Sequence, residues 1–476
     1  MGLTGNILDG DPFGGVGTAI NLTTKMLGGI IKICQAGADR AEIARMKKEC
    51  EAVSRNARAV LCTPNFHHSN FSTNGRLQLF AGEQQYLLPE KTYSDEQVIE
   101  NASRSSMNMV VSGGSRLLRN EALSFVCKDA CARRIPVILV HCGNHELIRK
   151  LRNIPSIASK LVIADKDGYT YNPFLGLRAN EISEIVVEAI PDRYNTYRNA
   201  QNHFMAMLVT IIAELVLTQG KSLTIPVLAV SPIKDLPNVL DKKKNDGSID
   251  HYQHAQLTAD YMACQSEVHR LSGYLQELKR KSAPLYTKGA RAVDMNRELA
   301  KNSIIALNVG DSLNDIYLGL ITEHLRYLYT QNARAVVIVD GVNLSSQEKL
   351  VTLLAQHEEC NFALSNDDIY TSLGADKKKF ESAMGHVARA VFFKHSSLGT
   401  VKQLSEYLGT YEKIEYLQGF TQGTTGLIPT GQKSWTPHKT TEPRIRQEDL
   451  ANMTDSQVCV YDSSTNQICF ADMQIH

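Results

Sequence analysis

Short runs of consecutive apolar residues recur along this chain, and stretches of helical periodicity separate them. The runs are Met107–Val111, Ile135–Val140, Leu161–Ala164, Ser303–Asn308, Ala335–Asp340, Asn361–Leu364 and Ala390–Phe393. Continuous runs, rather than alternating ones, mark strands buried on both faces, as in parallel sheets. Leu117 to Arg134, Asn314–Asn332 and Ser346–His357 carry helical stripes between them, which makes βαβ units and a mostly parallel sheet. From about 180 to 299 the strands give way to helices. Asn195–Gln219 and Asp250–Lys281 read as two long ones, joined by a charged loop at Lys242-Lys243-Lys244-Asn245-Asp246-Gly247. The expected organisation is an N-terminal helical arm (1–55) and the first half of an α/β sheet domain (56–179). A mainly α-helical insert (180–299), the second half of the sheet domain (300–420) and a C-terminal tail completing it (421–476) follow.

Composition narrows the picture without choosing a function. The 476 residues hold 43% apolar and 21% charged residues, ordinary for a globular chain, and the net charge of +1 supplies no global field toward nucleic acid or membrane. Ten cysteines are scattered with no CxxC pair, as in reduced intracellular proteins. No apolar run approaches the roughly 18 residues of a membrane span. The best candidate, Met26 to Cys34, is short and carries Lys32, and the start Met1–Asn6 lacks the Ser/Thr of a myristoylation site. The expectation is a cytoplasmic protein, brought to a membrane face only through partners.

The chemistry concentrates at two strand ends. Val336–Asp340 is an apolar strand tipped by an acid, the arrangement that holds Mg²⁺ in nucleotide hydrolases, but Gly341 stands where an activating Glu would follow. Gly113-Gly114-Ser115 forms a tight turn after the first strand, a candidate anion cradle of backbone N–H groups. Arg116-Leu117-Leu118-Arg119-Asn120 comes next, with no Gly-Lys-Ser/Thr. The Gly220-Lys221-Ser222 triplet is no substitute: it follows a helix, and Leu215 stands five residues before it. The plainer alternatives are a strand-to-helix turn at Gly113-Gly114 and, for Asp340, a turn cap or the partner of a nearby Lys. Cys127, Cys131, His141, Cys142 and His145 match no common zinc spacing, and no metal is expected. The runs Lys242–Lys244 and Lys377–Lys379 read first as solvated loops and second as phosphate contacts for DNA.

The order of these elements resembles the type IV secretion coupling proteins, the VirD4/TraG/TraD group of FtsK/HerA-type ATPases. The likeness runs over roughly residues 55–476. Tyr171-Asn172-Pro173-Phe174 is similar to the family's Trp-Asn-Pro-Leu motif. Leu404-Ser405-Glu406-Tyr407-Leu408-Gly409 is similar to its LSExLG motif. Pro443–Leu450 followed by Gln457–Tyr461 resembles its closing element. The resemblance implies a RecA-like P-loop NTPase-type domain with an all-α insert that docks cargo or relaxosome proteins, and a ring of subunits. It also exposes what is missing: the phosphate-loop Lys and hydroxyl, the catalytic Glu (Gly341), the sensor Gln (Leu364-Ser365-Asn366-Asp367 stands there) and an arginine finger (Gln356-His357-Glu358-Glu359). A finger alone is worth about 10³–10⁵ in rate.

The implied reading is therefore an inactive homologue that recruits or scaffolds within a secretion or conjugation machine, with no cofactor. Gly113, Gly114, Ser115, Arg116, Arg119 and Asp340 would form its vestigial nucleotide site. The alternatives are an active ATP-dependent translocase that places Arg116 or Arg119 on the γ-phosphate, a DNA-binding ring protein, and an anion sensor.

Overall fold

The computed structural model describes residues 108–191, 194, 200–286, 289–310, 314–356, 361–425, 428–463 and 467–472, and the strands Cys62–Thr63, His68–Phe71 and Leu77–Phe80. The helical arm expected over 1–55 and the segment 357–359 of the expected finger region lie outside the described residues. The chain forms two compact units: residues 108–392 make up the body of the larger, and residues 393–472 with Cys62–Thr63 belong to the smaller.

In the larger unit the apolar runs become strands β1 (Met109–Ser112), β2 (Val137–His141), β3 (Leu161–Ala164), β4 (Ile304–Asn308), β5 (Val336–Asp340), β6 (Asn361–Asn366) and β7 (Arg389–Phe392). They pair in the order β7-β1-β6-β5-β2-β4-β3, every pair parallel. All residues of β1, β2, β4 and β5 are buried, which is why their sequence is apolar without alternation. This is the expected RecA-like α/β sheet. Its register sets Asp340 beside both His141 and Ser365. Asn308 lies beside His141 on β2's other side, and Ser112 beside Asn366. Five strands thus deliver polar residues to consecutive places along one edge.

Helices α1 (Arg116–Ala132), α2 (His145–Arg152) and α3 (Ala179–Glu188) follow β1, β2 and the two-residue strand Thr170–Tyr171. Within the stretch expected as an insert come α4 (Ala200–Leu217), α5 (Ile225–Ala229), α6 (Leu236–Asn245), α7 (His251–Ala263) and α8 (Val268–Ser282). Thr170–Tyr171 pairs in parallel with Ala292–Val293, joining the chain before these helices to the chain after them. Three details depart from the sequence reading. Lys242, Lys243 and Lys244 occupy the last turn of α6 instead of a loop, where cations complement the negative end of the helix dipole. The stretch Asp250–Lys281 is two helices, because a 3₁₀ turn at Gln265–Glu267 breaks it. Lys377–Lys379 open a helix, α11 (Lys377–Met384), capped by Asp376. Between them come α9 (Asp315–Thr330) and α10 (Glu348–Gln356).

The smaller unit holds α12 (Leu398–Tyr407), the paired strands β8 (Thr410–Thr425) and β9 (Ile428–Pro443), α13 (Gln447–Ala451), and the antiparallel pair β10 (Gln457–Asp462) and β11 (Gln467–Asp472). Cys62–Thr63 adds in parallel to β11. The Leu404–Gly409 motif docks here: Ser405 donates to the Ile445 carbonyl at 2.6 Å, and the Tyr407 ring meets Tyr461 edge to face. The β8–β9 ribbon has no counterpart in the sequence reading, since Gly-, Thr- and Gln-rich strands interrupted by Pro429 and Pro437 lack a strand signature. Among the described residues no helix is long and apolar enough to cross a membrane.

Candidate functional site

The turn after β1 adopts the backbone that its glycines permit. Gly113 and Gly114 have φ of 87° and 62°, in the left-handed region that disfavours a side chain. Ser115 then caps α1, its hydroxyl accepting from the Leu118 amide at 3.4 Å. The first turn of α1 carries no acid. It carries Arg116, which is exposed, and Arg119, which is 8% exposed. Cations at a helix N-terminus oppose the dipole by about 0.3–1 kcal/mol, so Arg119 must find compensation elsewhere. Its Nη1 donates to the carbonyls of Gly113 at 3.0 Å and Gly114 at 2.8 Å. The guanidinium is thus folded back onto the turn. Burial pushes its pKa below the ordinary value, while Asp340 and Asp367 favour its charge.

Asp340 sits at the tip of β5, 3% exposed. One carboxylate oxygen accepts from the Ser365 hydroxyl at 2.7 Å, the other from the Asn144 amide at 2.6 Å. Its partners are therefore an amide and a hydroxyl, not the Lys that the plainer sequence alternative named. Asn144 is itself the N-cap of α2, accepting from Leu147 N at 3.1 Å, and it donates to Asn120 on α1 at 2.7 Å. Asn308 accepts from Gly143 N at 3.1 Å and Gly310 N at 2.9 Å, and Asn366 donates to the Val342 carbonyl at 2.7 Å. The strand ends are tied together by side-chain amides.

Sequence reasoning named Gly113, Gly114, Ser115, Arg116, Arg119 and Asp340, and the sheet order brings β1 and β5 within one strand of each other. It did not assign roles to Asn120, Asn144, Ser365, Asn366 or His141. A polar residue at the C-terminal tip of each buried strand is the signal that would have found most of them. His141 is 1% exposed, and its Nδ1 accepts from Asn144 N at 3.1 Å. The neutral ring therefore carries its proton on Nε2, which has no hydrogen-bond partner among the described residues. Burial first, and then His145, hold its pKa down to about 4. Arg119 Nε is likewise buried without a partner. Two N–H donors are thus left over, while the Asp340 carboxylate is used internally.

Gly341 has φ of 68°, so a Glu in its place would start from a strained backbone. Arg116 makes only a long contact, 3.5 Å, to the Cys142 carbonyl. Cys127 is fully buried and its thiol is pushed up to about 12 by desolvation, far from the thiolate a metal needs. Among the described residues no group of three or more His, Cys, Asp and Glu is placed to hold a metal ion. In the motif at 171–174, Asn172 donates to the Leu223 carbonyl at 3.0 Å, and the Tyr171 hydroxyl lies 2.8 Å from His324 Nδ1. That motif ties the Thr170–Tyr171 strand to Leu223 and to α9.

No protein-family model matches the chain, and no curated protein sequence does. Solved structures do match. The unbound monoclinic form of the bacterial conjugative coupling protein TrwBdeltaN70 superposes with a TM-score of 0.51 at 13% identity, over 79% of this chain and 86% of that one. The plasmid coupling protein TrwB in complex with the non-hydrolysable ATP analogue ADPNP does so with a TM-score of 0.50 at 12% identity, over 79% and 87%. At such identity the likeness establishes the fold: this chain has the RecA-like architecture of the type IV coupling proteins.

Proposed function

We propose that this chain is a coupling-protein homologue that does not hydrolyse ATP and acts as a recruiting or scaffold subunit of a type IV secretion or conjugative DNA-transfer machine. The observation that carries the proposal is the inward-turned charge at the phosphate turn. Arg119 turns Nη1 back onto the Gly113 and Gly114 carbonyls, and both Asp340 oxygens accept from Asn144 and Ser365. A hydrolase needs that carboxylate for Mg²⁺ and a cation on the terminal phosphates. Here rebuilding either would break buried hydrogen bonds worth about 1–3 kcal/mol each to leave unmade. Gly341 removes the activating carboxylate, and its backbone opposes restoring one.

The insert is the surface through which such a subunit would hold cargo, and the shared architecture supports assembly into a ring, alone or beside an active relative. A second reading, a nucleotide or other anion held without turnover, is favoured by the two orphan donors, Arg119 Nε and His141 Nε2. Calorimetric titration of ATP with Mg²⁺, paired with phosphate release, separates the readings. Neither binding nor release is the expected outcome for the scaffold. Binding without release selects a nucleotide-gated assembly role. Release that disappears in Asp340→Asn would overturn both readings and make the protein a motor.

A further inference from the structure

Helices α3, α9 and α10 line an open cavity of about 510 Å³, within the size range of small-molecule sites. Four carboxylate residues line it: Glu188 at the end of α3, Asp315 and Glu323 on α9, and Glu348 at the start of α10. Lys349 is the cation in the lining, and Ile190 adds apolar surface. The approach of α3 to α9 is fixed by Gly319, where an added Cβ would lie 2.8 Å from the Ala189 carbonyl oxygen.

Glu323 separates this cavity from a mere patch of surface acids. The residue is 4% exposed. Its Oε2 is paired with Arg326 at 3.0 Å, but its Oε1 is buried with no hydrogen-bond partner. A buried carboxylate oxygen without a hydrogen bond is costly, and the Lys349 ammonium nearest it stands at ion-pair distance, 3.6 Å, beyond hydrogen-bond length. Lys349 shows what kind of donor suits the place. Its ammonium hovers at the acids, 3.5 Å from Glu188 Oε2 and 3.6 Å from Glu323 Oε1. Its one hydrogen bond within normal length here goes to the Glu188 carbonyl, at 2.6 Å. The side chain is half exposed, so solvent can replace these contacts if another cation takes its place. The acids do not converge as metal ligands would, since no such group exists among the described residues.

We infer that this cavity binds a primary alkylammonium group, which displaces the Lys349 ammonium and donates to Glu323 Oε1 and Glu188. The methylenes of such a ligand lie against Ile190, and the net negative lining selects cations. A free polyamine and a lysine side chain of another protein share this chemistry.

The test is calorimetry on the full chain with spermidine and with N-acetyl-lysine amide, and with 1,5-pentanediol as the uncharged control. Saturable binding of either amine, and none of the diol, is expected. Binding of spermidine alone assigns a free polyamine, and of the lysine amide alone a protein side chain. Glu323→Gln, nearly isosteric, should weaken binding by about tenfold or more, and the more exposed Glu188→Gln should weaken it less. Lys349→Met, which removes the internal competitor, should tighten it by about tenfold. No binding to the wild type or to Lys349→Met would overturn the inference. So would binding that Glu323→Gln and Glu188→Gln leave unchanged while both variants keep the wild-type unfolding midpoint.

Discussion

The turn after β1 and the cavity beside α9 lie in the same compact unit, yet they carry opposite leftovers. At the turn the acceptors are consumed and two donors, Arg119 Nε and His141 Nε2, remain. In the cavity the acid's donors run out, and one acceptor, Glu323 Oε1, remains. The difference teaches how one fold can settle its polar groups in two ways. At the turn Arg119 folds back onto the Gly113 and Gly114 carbonyls, so its charge is held within the turn itself. The cavity keeps an open face, and the oxygen without a hydrogen bond is held there only by the longer ion pair to Lys349.

The largest test of that contrast removes the hub of the closed region. Asp340→Ala strips Asn144 and Ser365 of their acceptor and leaves Arg119 without its buried counter-charge, and should cost about 3–5 kcal/mol in urea unfolding. A loss under about 1 kcal/mol would mean that the network is not structural.

Acid titration comes next, because the two regions respond with opposite signs. His141 is held at about 4, below its ordinary 6.5, so the unfolded chain binds the proton more readily between those values. Stability through His141 is therefore full above pH 6.5 and falls as pH drops toward 4, by about 2 kcal/mol between pH 7.5 and 5. His324, held at about 3 by burial, adds a loss of the same sign. Glu323 works the other way. Burial raises its carboxyl, so the folded chain binds that proton more readily, and acidification stabilises through it. Urea midpoints across pH 4.5–7.5 should show a shallower acid loss in His141→Gln and a steeper one in Glu323→Gln. Parallel profiles for wild type and both variants would break the comparison.

The smallest effect is geometric. Gly319→Ala forces α9 from the Ala189 carbonyl and should cost about 1–3 kcal/mol. It should do so without changing the environment of Arg119. Hydrogen exchange of the α3 and α9 amides should rise while that of α1 stays put; a rise in α1 instead would show the two regions to be mechanically one.

The sheet was legible in the sequence because burial on both faces leaves uninterrupted apolar runs, and β2, β4 and β5 fall where those runs lie. Asp340 was legible for the same reason, as an acid ending such a run. The role of Arg119 was not, because an arginine on a helix start reads as an open cation, and only the backbone of the Gly113-Gly114 turn folds it inward. Glu323 was invisible, since an acid within a helical stripe looks solvated until α3 and α10 cover it. The amide ties at Asn120, Asn144 and Asn366 depend on strand order, which local pattern does not specify.

The β8–β9 ribbon leaves and rejoins the smaller unit at a single point. The Arg444 amide donates to the Gly409 carbonyl at 2.9 Å, so the two residues that flank the ribbon already touch. At about 3.3 Å per residue its sixteen-residue strands reach about 50 Å from that point. In modular terms the ribbon is a cassette. Residues 410–443 can be excised and the ends closed by a short Gly-containing linker with little entropic penalty, leaving the docking of α12 beside Ile445 and Tyr461 intact. The contacts of α12 with Ile445 and Tyr461 do not pass through the ribbon, so it is separable from them along the chain.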